Sequence, residues 1–458
     1  MELNIVILAA GKGTRMNSRL PKVLQPLSKK PLLSHVLETS FSLKANKVVV
    51  VYGHGGDLVK EQMASLYPSQ EIIWAEQREQ LGTGHAVLQA MSVLEPGSNT
   101  LILYGDVPLI SVSTLQQFIE TTADSPLGLL TVNLDNPKGY GRILRNSVGL
   151  VESIVEEKDA SAAEKCVTEV NTGIMFANTE KLQEWLPRLG NQNAQGEYYL
   201  TDLAKFAADE NTPAKATMIN NRMEVDGVND KLQLATLERA YQLSLAEQLM
   251  KSGATLADPS RIDIRGHLTT GQDCYIDVNC VFEGNVTLGE NVSIGPNCHV
   301  IDAKIEDGTV VKSNTVIESA VIGERCDIGP FARIRPGTVM ATGAKIGNFV
   351  ETKNTKVGEG SKINHLSYVG DSELGSHVNV GAGTITCNYD GVNKHKTIIG
   401  DNAFIGSNSS LVAPIEIGEG ATIGAGSTVS KKAKANALTV TRAKQITLEG
   451  WQRPTKKV

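Results

Sequence analysis

Between residues 262 and 429, aliphatic residues recur every six positions, and this spacing sets the strongest limit on the fold. The two clearest stretches of the series are Ile276, Phe282, Leu288, Ile294 and Val300, and then Ile399, Ile405, Leu411, Ile417, Ile423 and Val429. A period of six matches neither the period of an amphipathic helix nor the alternation of an ordinary strand. It matches coils of three short parallel strands, one hexapeptide per face. The sequence therefore predicts a parallel β-helix with the aliphatic side chains inside.

Four of the six cysteines lie at the small inward position of this repeat, four residues after an aliphatic residue or Thr. They are Cys274, Cys280, Cys298 and Cys326. The chain contains no CxxC pair. We therefore expect reduced thiols buried in a core rather than metal ligands or disulfides.

Length, charge and hydropathy narrow the class of protein. A chain of 458 residues with 41% hydrophobic content predicts two or three domains. The formal net charge of −6 argues mildly against a protein that coats nucleic acid. No stretch approaches the roughly 18 apolar residues that span a bilayer, and no charged-then-apolar signal precedes the first strand. We expect a cytoplasmic protein with small-molecule substrates and no nucleic-acid or membrane partner.

The N-terminal part alternates apolar strands with helical stretches. The strands are predicted at Asn4–Ala9, Lys47–Tyr52 and Thr100–Tyr104, with helices such as Pro31–Leu43 and Gly84–Met91 between them. Such alternation predicts a Rossmann-like α/β domain with a mostly parallel sheet. Ligands of these sheets bind at the carboxyl ends of the strands. We assign this domain to residues 1–228.

The loop after the first strand concentrates positive charge beside glycines. Gly11 and Gly13 allow backbone N–H groups to approach an anion, and Lys12, Arg15 and Lys22 lie close in sequence. The spacing fits neither a Rossmann fingerprint nor a Walker loop. A solvated basic loop is the alternative, but the position after a first buried strand favours a phosphate site.

This part of the chain resembles the sugar-1-phosphate nucleotidylyltransferases. The resemblance begins with the segment that reads LAAGKGTRM from Leu8, followed by Pro21-Lys22. Further similar motifs follow in order: Gln77, Gln80–Gly84, Tyr104–Asp106, Gly139–Arg142, Val155–Lys158, Glu169–Gly173, Asn193–Asp202 and Val225–Asn229.

The resemblance implies a role for each matching residue. Arg15 and Lys22 neutralise phosphates during catalysis, and Asp106 and Asn229 hold Mg²⁺, which prefers oxygen ligands. For Asp106 a turn or helix cap is the alternative role, and Asn229 or Asp230 also suits the N-cap of the next helix. The residues implied to bind UTP and the UDP-sugar are Leu8, Ala9, Ala10, Gly11, Lys22, Gln77, Gly82, Thr83, Tyr104, Gly105, Asp106, Gly141, Glu156, Asn171 and Asn229.

A linking helix is predicted between the two patterns. The stretch from Asp230 to Ser252 carries one apolar stripe, and Gly253 follows as a C-terminal signal. The stripe consists of Leu234, Leu237, Tyr241, Leu245 and Leu249. We assign residues 229–252 to this helix, residues 253–437 to the β-helix and residues 438–458 to a tail. The sequence does not say whether the stripe packs on either domain or on another chain.

The hexad repeat has its largest break between Val380 and Ile399, and a long loop on a rigid scaffold is a usual place for function. Just before the break, His365 and Tyr368 depart from the usual residue types of the hexad repeat. The imidazole of His365 is suited to act as a general base. Asn388, within the break, could orient His365. His395 stands in the same loop where a relative would be expected to carry an apolar or aromatic residue, which leaves the loop packing in doubt.

Hexapeptide β-helices resemble a family of acyltransferases. The resemblance implies a left-handed coil, a homotrimer, and acyl-CoA bound between neighbouring coils. It also implies His365 as the catalytic base. The residues implied to bind glucosamine-1-phosphate are Arg335, Lys353, Tyr368 and Asn379. Those implied to bind acetyl-CoA, the acetyl donor, are Ala382, Asn388, Tyr389, Ser407, Ala425 and Arg442.

Taken together, nearly the whole chain resembles the bacterial bifunctional family of N-acetylglucosamine-1-phosphate uridylyltransferases and glucosamine-1-phosphate acetyltransferases. The alternative is a monofunctional nucleotidylyltransferase with a structural or regulatory β-helix. A scaffold would have no need of His365 together with Lys353 and Asn388, so these residues separate the two hypotheses.

Overall fold

The structure is a computed structural model that describes residues 2–456. It divides the chain into two compact units, and the division falls between Tyr241 and Gln242. This point lies inside the predicted linking helix rather than at either end of it, so the predicted domain bounds stay a prediction. The first residue of the first predicted domain and the last two of the predicted tail lie outside the described residues.

The first unit is built on a nine-stranded sheet. In chain order its strands are β1 Leu3–Ala9, β2 Lys47–Tyr52, β3 Ile73–Glu76, β4 Asn99–Tyr104, β5 Leu127–Asn133, β6 Arg142–Arg145, β7 Val151–Val155, β8 Glu169–Asn178 and β9 Lys215–Ile219. The spatial order is β9-β5-β8-β4-β1-β2-β3, with β6 between β8 and β7. Every antiparallel pair of this sheet involves β8 or β6 and the other pairs are parallel, so the predicted mostly parallel sheet is confirmed.

Helices accompany these strands as the alternating pattern predicted. They are α1 Leu32–Ser42, α2 Gly56–Leu66, α3 Thr83–Ala90, α4 Val112–Thr122, α5 Thr179–Trp185 and α6 Leu203–Asp209. The strands read as continuous apolar runs because both faces of the sheet are buried, and two separate hydrophobic clusters lie on them. The carboxyl ends of β1, β2 and β4 therefore point into one shared set of loops.

The helix α7 spans Lys231–Lys251, within the predicted residues 229–252. Asp230 Oδ1 accepts a hydrogen bond from the Gln233 N–H at 2.8 Å, so Asp230 rather than Asn229 caps the helix. Gly253, with φ of 107°, follows its end. The apolar stripe is shared: Leu237 is buried in a core cluster of the first unit, and Leu249 in the core of the second.

The second unit is a parallel β-helix, as predicted. One face stacks eleven strands: Thr255–Leu256, Tyr275–Ile276, Ser293–Ile294, Val310–Val311, Asp327–Ile328, Lys345–Asn348, Lys362–His365, Asn379–Val380, Phe404–Ile405, Thr422–Ile423 and Leu438–Thr439. The other strands are Ile262–Thr270, Cys280–Leu288, His299–Ile301, Lys304–Ile305, Val316–Glu318, Val321–Ile322, Arg333–Ile334, Val339–Met340, Glu351–Val357, Tyr368–Leu374, Ile385–Cys387, Thr397–Ile399, Ser410–Val412, Ile415–Ile417 and Thr428–Val429.

The strand register gives the length of each coil. Ile328 pairs with Ile346, and Ile346 pairs with Ile363, so a regular coil is three hexads long or slightly less. The coil from Val380 to Ile405 is longer by more than a hexad, because it contains the predicted loop. The aliphatic residues of the hexads form one continuous buried cluster.

The cysteines of the β-helix behave as expected. Cys274, Cys280, Cys298 and Cys326 are buried, and all six cysteines of the chain are free. Burial raises the pKa of Cys280 to about 12 and that of Cys298 to about 11. Among residues 2–456, no helix combines the length and the apolar character that a membrane crossing requires.

Candidate active sites

A cavity of about 290 Å³ opens at the carboxyl ends of the central strands of the first unit. Its lining comes from the loop after β1, the segment that leads into α3, and the end of β4. The lining residues are Leu8, Ala9, Ala10, Gly11, Lys22, Val23, Gln77, Gln80, Gly82, Thr83, Ala86, Tyr104, Asp106 and Glu197. This is the place where an α/β sheet of this topology binds its ligand.

Lys22 lines this cavity and contacts both predicted metal ligands, Asp106 and Asn229. Its ammonium group forms an ion pair with the Asp106 carboxylate and lies 3.4 Å from Asn229 Oδ1. Arg15 Nη2 donates to the same Asn229 oxygen at 2.8 Å. The side chains of Lys22 and Asp106 are only 14% and 16% exposed, so their charges are screened little by solvent.

Gly13 makes this arrangement possible. Its φ of 59° is left-handed, and a Cβ atom there would lie 2.7 Å from the Lys22 Cβ atom. Any larger residue would force the loop or Lys22 to shift. The glycine is therefore required for the position of the lysine as well as for the turn.

The segment between β3 and α3 forms one wall of the cavity. Gln77 is buried, and its amide nitrogen donates to the Gly82 carbonyl at 3.1 Å. Gly82 has φ of 114°, and a Cβ atom there would lie 2.6 Å from the Tyr198 carbonyl oxygen. Thr83 Oγ1 accepts the Leu200 N–H at 3.1 Å. These contacts hold the polar groups of the wall in fixed directions.

A second group of predicted residues lies around Tyr104. The Asn171 N–H donates to the Gly141 carbonyl at 2.9 Å, and Thr201 Oγ1 donates to Glu156 Oε1 at 3.1 Å. Burial raises the pKa of Glu156. Burial also raises the pKa of Tyr104, and the nearby carboxylates of Glu156 and Asp106 add to that shift. Tyr104 therefore lies between Asp106, which lines the cavity, and Glu156 of this group.

In the β-helix, several predicted residues occupy the same position of successive coils. The carbonyl oxygen at this position in each coil accepts a hydrogen bond from a backbone N–H group of the next coil. In order along the axis, the row contains Asn348, His365, Ala382, Ser407 and Ala425. Arg442 lies at the end of the row, where its side chain is beside Gly426. Residues far apart in the sequence thus form one straight line on the surface.

His365 is held by the neighbouring coil. Its Nδ1 atom lies 2.7 Å from Asn348 Oδ1, and with this oxygen as acceptor the neutral imidazole carries its lone pair on Nε2. The prediction that Asn388 orients His365 is wrong. Asn388 Nδ2 donates instead to Asp371 and lies 3.4 Å from the Tyr368 hydroxyl, because its coil position faces Tyr368.

Two cations lie one coil apart next to Tyr368. The Arg335 N–H donates to the Thr352 carbonyl, and the following residue, Lys353, pairs with Gly370. Arg335 is ion-paired to Glu351 at 2.6 Å, and Glu351 pairs with Tyr368 across the strands. Asn379 lies on another face, between Lys362 and Phe404. Arg335, Lys353 and Tyr368 thus lie on adjacent strands of neighbouring coils.

The loop of the long coil is closed by its own polar contacts. His395 Nε2 lies 2.7 Å from Asp390 Oδ2, and Asp390 Oδ1 accepts the Val392 and Asn393 N–H groups. These hydrogen bonds, the Asn393 N–H first and then His395, lower the pKa of Asp390. Lys394 lies 4.5 Å from the centre of the Tyr389 ring. A contact between His395 and the Asp390 carboxylate therefore occupies the position where a relative would be expected to carry an apolar or aromatic residue.

Family models match both units. One described as a MobA-like NTP transferase domain matches residues 5–154, one described as a GMPPB C-terminal domain matches residues 264–353, and one described as bacterial transferase hexapeptide (six repeats) matches residues 396–431.

Relatives match the chain over its length. The "Bifunctional protein GlmU" of Marinobacter nauticus is 56% identical over 454 residues, which are 99% of both chains. Those of Saccharophagus degradans and Azoarcus sp. are 56% and 55% identical, each over 99% of this chain and 100% of the relative.

The chain belongs to the bifunctional GlmU family. Its predicted family, its fold class and its nature as a bifunctional enzyme with nucleotidyltransferase and hexapeptide-transferase domains are thereby confirmed. The monofunctional alternative loses its support, because the likeness to GlmU proteins extends through the β-helix as well as through the α/β unit.

Membership of the GlmU family is consistent with a divalent cation in nucleotidyl transfer, and the residues present fit one. The oxygen atoms of Asp106 and Asn229 converge on the single cationic group of Lys22. Among residues 2–456, no group of three or more His, Cys, Asp or Glu side chains is placed to hold a metal. A hard cation at Asp106 and Asn229 would therefore complete its shell with phosphate oxygens and water.

Not every predicted site residue lines the first cavity of this GlmU-family chain, and some lining residues were missed. The predicted residues outside the lining are Arg15, Gly105, Gly141, Glu156, Asn171 and Asn229. Asn229 contacts Lys22 and Arg15, Glu156 is near Tyr104, and Gly141 lies beside Glu156 and accepts the Asn171 N–H. The missed residues are Val23, Gln80, Ala86 and Glu197. Gln80 lies within the motif Gln80–Gly84 and Glu197 within the motif Asn193–Asp202. The motifs therefore indicated both residues, although neither was predicted individually.

Asn348 was also missed. It lies one coil before His365 and pairs with it across the strands, so counting back one coil from the predicted base would have found it.

Proposed function

We propose that the chain makes UDP-N-acetylglucosamine in two steps at two separate sites. The β-helix transfers the acetyl group of acetyl-CoA to glucosamine-1-phosphate, and the α/β unit joins the product to UTP with release of pyrophosphate. The observation that supports this best is the Asn348–His365 pair at 2.7 Å on the row that also contains Ala382, Ser407 and Ala425. A β-helix that served only as a scaffold would not need an imidazole held in this way.

In acetyl transfer, His365 acts as the general base. With Nδ1 held by Asn348, its Nε2 atom takes a proton from the attacking amine. The amine nitrogen forms a bond to the thioester carbonyl carbon, the carbon–sulfur bond breaks, and coenzyme A leaves as the thiol after its sulfur accepts the proton from His365. Arg335, Lys353 and Tyr368 hold the sugar phosphate together with Asn379. Ala382, Asn388, Tyr389, Ser407, Ala425 and Arg442 bind acetyl-CoA.

In uridylyl transfer, the chain positions the reactants and neutralises their charge. An oxygen of N-acetylglucosamine-1-phosphate attacks the α-phosphorus of UTP, and the bond to the β-phosphate breaks. Lys22 and Arg15, which contact Asp106 and Asn229, neutralise the phosphates. Gln77, Gly82 and Thr83 read the base, and Gly141, Glu156 and Asn171 hold the sugar.

We infer that the divalent cation of this step is Mg²⁺, held by Asp106 and Asn229. Bound there, it would neutralise charge on the phosphates and orient the leaving pyrophosphate. We also infer a homotrimer in which acetyl-CoA lies between coils, from the similarity of the β-helix to trimeric acyltransferases. Since UTP and acetyl-CoA are intracellular metabolites, this function places the protein in the cytoplasm.

The test is the release of free coenzyme A thiol from acetyl-CoA and glucosamine-1-phosphate, by wild type and by His365→Ala. His267→Ala is the matched control, because His267 is also an exposed histidine on a strand of the β-helix. We expect thiol release by wild type and by His267→Ala, and its loss in His365→Ala.

Failure of wild type to release thiol, while UTP and N-acetylglucosamine-1-phosphate still give pyrophosphate, would leave the β-helix as a scaffold or regulator. Equal activity of His365→Ala and wild type would show that another group is the base.

A further inference from the structure

Arg142 is a buried cation that the proposed chemistry does not use. It begins strand β6, directly after the loop of residues 139–141, which we call the sugar loop because of the proposed role of Gly141. The Arg142 side chain is only 2% exposed. Burial of a guanidinium is costly unless its hydrogen bonds are made, so the contacts of this side chain require an explanation.

Both terminal nitrogens of Arg142 are directed to the sugar loop. Nη1 donates to the Tyr140 carbonyl, and Nη2 forms an ion pair with Glu157 Oε2 at 2.6 Å. The same Glu157 oxygen accepts the Gly139 N–H at 3.2 Å. The guanidinium therefore binds Tyr140, the middle residue of the loop, directly, and Gly139, its first residue, through Glu157.

The loop held in this way leads into the proposed sugar site. The Gly141 carbonyl accepts the Asn171 N–H at 2.9 Å, and a Cβ atom on Gly141 would lie 3.4 Å from Glu156 Oε1. Glu156 and Glu157 are neighbours in sequence but have different contacts, Thr201 for the first and Arg142 for the second. The position of Gly141 relative to Glu156 thus depends on the neighbouring Arg142–Glu157 pair, which we call the clamp.

We propose that Arg142 is a positioning residue for the sugar phosphate substrate: with Glu157, it fixes the sugar loop so that Gly141, Glu156 and Asn171 keep the geometry that binds the sugar. The inference rests on the proposed function of the α/β unit. To that function the inference adds the Arg142–Glu157 pair, which determines affinity for the sugar phosphate. The base and phosphate contacts of UTP are made by other residues.

An arginine suits this role for a geometric reason. Its planar fork places two N–H donors in fixed directions, one toward the Tyr140 carbonyl and one toward Glu157. A lysine keeps the charge, but its ammonium is a compact point charge without the planar fork, so it cannot reproduce both contacts in the same directions. The Nε atom of Arg142 is buried without a hydrogen-bond partner, which shows that the two terminal nitrogens alone make its contacts.

The test is the kinetics of pyrophosphate release by Arg142→Lys with UTP and N-acetylglucosamine-1-phosphate. A hydrogen bond to a charged group typically contributes enough that we expect the KM for the sugar phosphate to rise about tenfold or more. We expect the KM for UTP to change by less than about twofold, since its contacts are separate. A merely structural role would move both constants together.

Arg145→Lys is the matched control. Arg145 lies on the same strand and is ion-paired to Glu169 at 2.7 Å, without a contact to residues 139–141 among its hydrogen bonds given by the described structure. The Arg145→Lys variant should have KM values for both substrates near those of wild type. An unchanged KM for the sugar phosphate in Arg142→Lys, or equal changes for both substrates, would overturn the inference while the proposed function stands.

A second variant covers the case in which Arg142→Lys does not fold. Glu157→Gln removes the charge of the partly exposed partner and leaves Arg142 in place. We expect the same selective rise in KM, and in the double variant an effect no larger than that of the arginine change alone. Additive effects, or no effect of Glu157→Gln, would contradict the clamp. Absence of any pyrophosphate release by wild type would overturn the proposed function and this inference together.

Discussion

In the α/β unit the candidate site brings together residues that are distant in sequence, whereas in the β-helix it follows the repeat. Lys22 contacts Asp106, 84 residues away, and Asn229, 207 residues away. Asn348 and His365 are a single coil apart. The first site depends on how loops meet at the ends of parallel strands, and the second on the register of stacked strands. A substitution at the first site should therefore affect loops from distant parts of the sequence, whereas a substitution at the second site should affect neighbouring coils.

The largest effect is expected at the meeting point of the loops. Lys22→Ala removes the cation that faces both Asp106 and Asn229, so uridylyl transfer should fall about a hundredfold to a thousandfold in kcat. Acetyl transfer should stay near the wild-type rate, because its residues lie in the other unit. Both rates are measured by pyrophosphate and thiol release.

Lys215→Ala is the control for this change, since the Lys215 side chain forms only a surface ion pair with Asp124 at 3.0 Å among its contacts given by the described structure. A loss of both activities in Lys22→Ala would show that the comparison between two separate sites is wrong.

The next effect tests the register of the β-helix. Ile346 is fully buried between Ile328 and Ile363 of the neighbouring coils, so Ile346→Ala should lower the free energy of unfolding by about 2–5 kcal/mol. The measurement is chemical denaturation followed by circular dichroism.

Val310→Ala serves as its counterpart, because Val310 faces outward and is 39% exposed. Its effect should stay within about 0.5 kcal/mol. Similar losses in the two variants would contradict the inward assignment of the hexad residues.

The smallest effect concerns a charge network of the first unit. Glu210 is hydrogen-bonded by Arg188, Lys181 and Trp185, and these contacts, Arg188 first, lower its pKa from 4.5 to about 2. The ionised carboxylate therefore stabilises the fold above pH 4.5, and this contribution is lost as the pH falls through about 2. Glu210→Gln should lower the melting temperature by a few degrees at neutral pH, and the difference from wild type should shrink with acidification. A difference independent of pH would exclude the charge as its cause.

The comparison also explains what the sequence could predict. The inward residues, the free cysteines and the row from His365 to Ala425 all follow from a coil of about three hexads. In the α/β unit, buried parallel strands are continuous apolar runs, so the sequence showed where they end. The motifs follow these ends.

Side-chain partners were beyond the reach of both patterns. The Asn348–His365 contact, the Asp390–His395 pair and the Arg142–Glu157 pair depend on which side chain of a neighbouring strand or loop lies within hydrogen-bond distance. A periodicity gives the position of a residue on a strand, but it does not give the direction in which a polar side chain finds its partner. Asn388 was assigned to His365 for this reason, although its coil position faces Tyr368.

The most direct test of two separate sites is to assay both reactions in the same preparations of wild type, Asp106→Ala and His365→Ala. Thiol release from acetyl-CoA and glucosamine-1-phosphate is followed beside pyrophosphate release from UTP and N-acetylglucosamine-1-phosphate with Mg²⁺. We predict a crossed result, in which Asp106→Ala loses only pyrophosphate release and His365→Ala loses only thiol release. Parallel loss of the two activities in either variant would contradict the account.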